Sequence, residues 1–177
     1  RDRASITYKY PTPDAMISFA TAAFARLIGA MSEADRPRVS GLGIAIPFQL
    51  WDWAGPLGVP ESEMATWRNR DIRAELETSL QLPVYLENDA SSACGAELVF
   101  GTQEHPADFL YFYVGYFIGG GLVLNGRLFA GPTGNAGALG SMPVPVGGGR
   151  IGQLIEVAAL QTLARALHAK GIETTTG

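Results

Sequence analysis

The stretch LPVYLENDASSACGAELVF, residues 82–100, decides the fold. Its first half, opened by Pro83 and running through Val84, Tyr85 and Leu86, is a short apolar segment of strand-forming residues and reads as a buried strand. Its second half turns to alanine, serine and leucine without a proline and reads as a helix. Asn88 and Asp89 stand at the joint, with Asp89 placed to cap the helix. A strand that passes directly into a helix is the repeating joint of α/β sheets, where ligands gather beyond the carboxyl ends of the strands.

The same alternation continues towards the N-terminus. RDIRAELETSL (70–80) carries Ile72, Leu76 and Leu80 on one helical face, and VSGLGIAIP (39–47) is an apolar run ended by Pro47. Thr12, Pro13 and Asp14 supply an N-cap, a proline for the first helical position and an acid for the first turn. Ile17, Ala20, Phe24, Leu27, Ile28 and Met31 then recur at helical spacing. SITYKY (5–10) alternates Ile6, Tyr8 and Tyr10 with polar neighbours and predicts a half-buried strand. This order argues for an α/β architecture with parallel strands and right-handed crossovers.

Towards the C-terminus the texture changes after His105: thirteen of the 22 glycines fall between Gly115 and Gly152. DFLYFYVGYFIGGGLVLNGRLF (108–129) holds strand-like stretches and the Asn125-Gly126 pair favoured in two-residue type I′ turns, which predicts an antiparallel hairpin. AGPTGNAGALGSMPVPVGGGR (130–150) is too rich in glycine and proline for regular structure. IGQLIEVAALQTLARALHAKG (151–171) predicts a closing helix with Leu154, Val157, Ala158, Leu160 and Leu163 available for burial and Gly171 as its stop.

Composition excludes several function classes. The 177 residues are 47% hydrophobic with a net charge of -4, and the pI is about 5.1. No basic stripe exists to hold a phosphate backbone, so nucleic-acid binding by these residues alone is not expected. A single cysteine excludes an internal disulfide framework and a multi-cysteine zinc site, and Cys94 reads as a small core residue. No apolar run approaches the roughly 18 to 20 residues a membrane span needs, and RDRASITYKY has no secretory core, so a cytoplasmic protein without membrane association is expected. The first residue is Arg1 and not methionine, which points to residues removed before it.

Three groups of residues invite a chemical reading. A carboxylate at Asp89 can take a proton from a substrate hydroxyl and the Asn88 amide can both donate and accept, whereas the simpler account makes Asp89 a helix cap; both roles can hold together. VGYFIGGG (114–121) offers backbone N–H groups to an anion, or is a glycine-rich β-turn; it lacks the Lys-Ser/Thr of a P-loop. Trp51, Trp53 and Trp67 flank glycine- and proline-rich segments and suit either a sugar face or ordinary packing. His105 and His168 are isolated and read as surface residues.

Taken together, GLGIAIP, LPVYLENDASSACGAELVFG and YFYVGYFIGGGLVLNGRLFAGPTGNAGALGSMPV resemble the ROK family of bacterial sugar kinases and sugar-responsive repressors. The likeness runs from about Tyr8 to the final helix. It rests on Glu87-Asn88-Asp89, on Gly119-Gly120-Gly121 leading to Asn125-Gly126, and on GNAGALGSMPV, all in family order. The resemblance implies the actin-like (RNase-H-like) sugar kinase fold, present in part, with two lobes and a sugar site in the cleft between them. On that mapping residues 1–104 form a first α/β lobe lacking its opening strands, and 105–177 begin the second lobe with the hairpin and the closing helix.

The departures from the family pattern carry equal weight. The opening Asp-x-Gly-Gly-Thr phosphate segment is absent, and the second phosphate loop, Gly-Thr-Gly in the family, reads Gly115-Tyr116-Phe117. That leaves Gly115, Gly119 and Gly120 as a phosphate-loop remnant. The sugar-contacting Glu and the His of the family's Gly-Glu-x-Gly-His element fall on Ala138 and Ser141, and a further family Glu falls at Ile155 with Glu156 one residue displaced. The family's zinc cysteines are replaced by PVPVGGGRIGQ, so no zinc is expected.

The resulting expectation is the effector-sensing domain of a ROK-type transcriptional regulator with kinase activity lost, binding a sugar-like ligand through Asn88, Asp89 and Glu156. It needs no cofactor, and a homodimer is expected. DNA is reached only through a winged helix-turn-helix domain that this chain does not contain. The alternatives are a ROK sugar kinase using ATP and Mg, with Asp89 as general base, and an inert dimerising scaffold.

Overall fold

The computed structural model describes residues 3–173. The chain divides into two compact units, Arg1–Leu86 and Glu87–Gly177.

In the first unit, Thr12 Oγ1 accepts the Ala15 N–H (3.3 Å) and Pro13 opens α1, Pro13–Ala30, as the sequence predicts. β1 (Leu42–Ala45) and β2 (Val84–Glu87) pair in a two-stranded sheet. Between them come a 3-10 turn over Leu50–Trp53, α2 (Ala54–Leu57), α3 (Glu61–Ala65) and α4 (Ile72–Leu80). The core holds Leu50, Met64, Trp67, Ile72, Leu76 and Val84, with Trp51 and Trp53 packed partly buried against it. The Trp67 indole N–H reaches the Pro11 carbonyl (3.1 Å), so Trp67 is a packing residue. Glu77 Oε1 accepts the Val84 N–H (3.1 Å), tying the end of α4 to the start of β2. SITYKY forms no strand: it runs without regular structure, and Ile6 and Tyr8 are 50% and 45% exposed. Alternation gives such a segment a face, but a strand also requires a neighbour to complete its ladder.

In the second unit, α5 (Asp89–Phe100) packs on the antiparallel sheet β3–β4–β5, formed by Phe109–Val114, Ile118–Leu124 and Arg127–Leu128. Asn125 and Gly126 both take positive φ (53° and 68°), as the predicted type I′ turn demands, and the expected hairpin is extended by β3 into a three-stranded meander. The glycine- and proline-rich segment is more ordered than expected. β6 (Pro143–Pro145) and β7 (Ile151–Gln153) pair antiparallel around Gly147, Gly148 and Gly149, all at positive φ. The closing helix α6 is shorter than expected, Leu160–His168, because Gln153 starts a separate 3-10 turn over Leu154–Glu156. Val157, Leu160 and Leu163 are consequently exposed and not buried. The chain reverses beyond α6 with Gly171 at φ 75°. Among the described residues no helix is long and apolar enough to cross a membrane.

Candidate functional site

Asn88 and Asp89 occupy the joint between β2 and α5. Asn88 keeps extended backbone angles (φ -61°, ψ 139°), and its Oδ1 accepts the Ser91 N–H at 3.0 Å, so Asn88 and not Asp89 is the N-cap. Either residue type caps well; the chain leaves its extended path one residue earlier than expected. Asp89 is the first helical residue. Its half-buried carboxylate has no hydrogen-bond or ion-pair partner among the described residues, so it is available to accept a hydroxyl proton. Glu87 is committed locally, its Oε1 accepting the Asn88 N–H at 2.8 Å.

The glycine run fixes how closely α5 lies on the sheet. A Cβ on Gly119 would stand 3.0 Å from Ala90 Cβ, and one on Gly121 would stand 2.2 Å from Cys94 Cβ. On the other face, a Cβ on Gly120 would stand 2.5 Å from Leu139 Cδ1. Gly119 and Gly120 are ladder residues opposite Tyr113 and Phe112, so this part of the run is a strand and not a turn. Cys94 is fully buried as expected, and burial pushes its thiol pKa up.

The loop over residues 115–117 is closed on itself and on α6. Gly115 N–H donates to the Phe117 carbonyl (3.3 Å), while the carbonyls of Gly115 and Tyr116 accept N–H groups from Leu160 (3.1 Å) and Gln161 (3.2 Å). The Tyr116 and Phe117 rings meet edge to face at 4.8 Å. Ala138 is apolar, and the Ser141 hydroxyl donates to the Ala138 carbonyl at 2.8 Å. Among the described residues no three His, Cys, Asp or Glu side chains gather as a metal site, and the residues at the family's zinc position do not fit that ion.

Glu156 has both carboxylate oxygens engaged. Oε1 accepts the Gln153 N–H at 2.7 Å and Oε2 meets Arg150 Nη2 at 3.0 Å; these two donors hold its pKa below the usual carboxylate range. Sequence reasoning missed this partnership, although the Gln153-to-Glu156 spacing of a capping box was there to be read. It also missed His105, which is half-buried: its Nε2 lies 3.2 Å from Glu97 Oε1 and its ring stacks on Phe109 at 5.1 Å. His168 is exposed, as expected.

The ROK family model matches residues 5–158. The chain belongs to the ROK family. Among solved structures, the ROK hexokinase from Thermus thermophilus is 29% identical with a TM-score of 0.61, covering 94% of this chain and 56% of that one. The fold is thus the actin-like fold of the ROK sugar kinases, in part. Among curated relatives, the xylose repressor of Caldicellulosiruptor bescii is 30% identical over 110 residues, 58% of this chain and 25% of the repressor. The glucokinase of Halalkalibacterium halodurans is 35% identical over 105 residues, 56% of this chain and 32% of the glucokinase. The chain spans a quarter to a third of the length of these two relatives. Both repressors and sugar kinases are therefore similar to this ROK chain.

Proposed function

We propose that this chain is the effector-sensing portion of a ROK-type transcriptional regulator that binds a sugar or related small polar ligand at Asn88 and Asp89 and has lost phosphoryl transfer. The observation that carries this reading is the closed 115–117 loop. Phosphoryl transfer depends on donors aimed at the ATP phosphates, in line with a hydroxyl and its base. Here the Gly115 N–H is taken by the Phe117 carbonyl, and two aromatic rings stand where the family has a hydroxyl and a glycine. A sugar as effector is supported by the xylose repressor and glucokinase among the similar proteins. In this reading the lobes are 1–104 and 105–177, the parent protein is a cytoplasmic homodimer, and DNA is contacted by a helix-turn-helix domain outside this chain.

The second reading, an ATP- and Mg-dependent sugar kinase, is favoured by one feature: the Asp89 carboxylate has no hydrogen-bond or ion-pair partner among the described residues, which leaves it free to meet a substrate hydroxyl. The test is to melt the full-length parent protein with xylose and glucose, with and without ATP and Mg, and to follow ATP consumption alongside. A sugar-dependent rise in melting temperature without turnover is expected, because a ligand held only by the native state stabilises it. Turnover at kinase rates, about 1 to 100 per second, selects the kinase. No response to any sugar selects the inert scaffold.

A further inference from the structure

We propose that Arg150, Gln153 and Glu156 form a metal-free clasp that braces residues 137–158 and through them positions the 115–117 loop, making Glu156 a positioning residue. The inference holds for a regulator and for a kinase alike.

The clasp is reciprocal. Glu156 accepts the Gln153 backbone N–H, while the Gln153 side chain accepts the Glu156 N–H, which completes the cap of the 3-10 turn Leu154–Glu156. Arg150 closes the second carboxylate oxygen. Its place is set by the turn of Gly147, Gly148 and Gly149, across which Arg150 N–H reaches the Gly147 carbonyl (3.1 Å) and Val146 N–H reaches the Arg150 carbonyl (3.1 Å). Gly152 is required beneath the carboxylate, since a Cβ there would stand 2.5 Å from Glu156 Oε1 and 2.7 Å from Val146 Cγ1. Among the described residues Arg150 is the charged group that faces Glu156.

From the clasp a continuous set of contacts leads to the loop. Leu154 N–H donates to the Met142 carbonyl (2.9 Å), which joins the capped turn to the 137–142 segment. That segment lies on β4, where a Cβ on Gly140 would stand 2.7 Å from the Ile118 carbonyl and 3.6 Å from Ile155 Cβ. Thr162 Oγ1 donates to the Ile155 carbonyl (3.2 Å), fixing the start of α6 to the same turn. The first N–H groups of α6, on Leu160 and Gln161, then hold the carbonyls of Gly115 and Tyr116. A structural metal braces a loop by joining ligands distant in sequence; here one carboxylate with an arginine and a reciprocal cap joins the same stretch. One donor on each Glu156 oxygen fixes the direction of the carboxylate, so its orientation is set by the turn it braces.

The test is amide hydrogen exchange and thermal melting on the full chain, for wild type, Glu156→Gln, Arg150→Met and Gly152→Ala, each with and without a zinc chelator. A chelator is expected to leave wild-type melting unchanged. Glu156→Gln is expected to lower protection of the Gln153, Leu160 and Gln161 amides by about tenfold or more while sparing Phe112 and Gly120, with Gly152→Ala reproducing it and Arg150→Met giving a smaller loss. Protection at Gln153 is expected to fall on acidification in wild type and to lose that pH dependence in Glu156→Gln. Stoichiometric zinc with chelator-sensitive melting overturns the proposal. So does unchanged protection at Leu160 and Gln161, or a loss of sugar-induced stabilisation in Glu156→Gln with protection intact. If Glu156→Gln fails to fold, Arg150→Met and Gly152→Ala decide by the same readouts.

Discussion

Replacing Asn88 and Asp89 one at a time separates the cap from the proposed Asp89 ligand contact, because Asn88 caps α5 and Asp89 does not. Asn88→Ala removes the 3.0 Å bond to the Ser91 N–H. A lost cap costs about 0.5 to 2 kcal/mol. The upper half of that range is expected, about 1.5 kcal/mol, because Ser91 is only 3% exposed and water cannot replace the lost acceptor. Asp89→Asn breaks no hydrogen bond or ion pair among the described residues. It removes one negative charge from the first turn of α5, which costs about 0.3 to 1 kcal/mol at a partly exposed site. Urea denaturation of both variants should therefore rank Asn88→Ala as the less stable by about 1 kcal/mol. Sugar-induced stabilisation of the parent protein should rank them the other way, with Asp89→Asn weakening ligand affinity by about tenfold, or roughly 1.4 kcal/mol. An Asp89→Asn protein that is destabilised as much as Asn88→Ala, or that keeps its full sugar response, would refute the cap at Asn88 or the proposed ligand contact at Asp89 respectively.

Other expectations follow from the packing and the charges. Gly121→Ala should cost about 1 to 3 kcal/mol by forcing its methyl into Cys94, and Cys94→Gly in the same chain should recover part of that loss; additive effects in the double-mutant cycle would show that the two positions do not touch. Native Cys94 should resist iodoacetamide until urea opens the α5–β4 contact, since the thiol is fully buried and its pKa raised; rapid labelling without denaturant would contradict that packing. Glu75, Glu77 and Glu156 hold pKa values below the ordinary carboxylate range in the native state, so the unfolded chain binds more protons and stability should fall as pH drops from the ordinary carboxylate range through their native values. Glu77→Gln, which loses the charged partner of the Val84 N–H and Arg73, should flatten that acid limb in thermal melts, and an unchanged pH profile would count against it.

What could be read from the sequence was whatever local chemistry decides. The Thr12 cap with Pro13, the helical face of Ile72 and Leu76, and the Asn125-Gly126 turn each follow from a few neighbouring residues, and the structure has them all. The cap of α5 escaped because two equally good capping residues adjoin, and only the backbone angles of Asn88 choose between them. The β6–β7 hairpin escaped because a three-residue ladder flanked by prolines carries no periodicity of its own. Leu160 and Leu163 were expected inside because helical spacing marks an apolar face without marking what covers it. The strand-to-helix joint that carries the proposed site, Asn88-Asp89, was legible, whereas the engagement of Glu156 by Arg150 and Gln153 required the turn at Gly147, Gly148 and Gly149 to bring them together.

The glycines of β4 have two possible reasons to be present, nucleotide binding and packing. Read as a phosphate-loop remnant, Gly119 and Gly120 favour an ancestry of nucleotide binding and leave open whether that activity persists. Their geometry gives each of them a second reason to be present. Gly119 and Gly121 face Ala90 and Cys94, one helical turn apart on α5, and Gly120 faces Leu139 and the Tyr111 carbonyl on the opposite side. Any side chain at these positions pushes α5 off the sheet or displaces the 137–140 segment, and α5 carries Asn88 and Asp89 at its N-terminal end. Keeping that pair in place therefore requires the glycine run with or without phosphate contacts. The run consequently carries no weight for kinase activity in this chain, and the decision rests on residues free of that packing constraint. Tyr116, half-exposed in the closed loop, and Ala138, where the family has a carboxylate, are two such positions, and both stand against phosphoryl transfer.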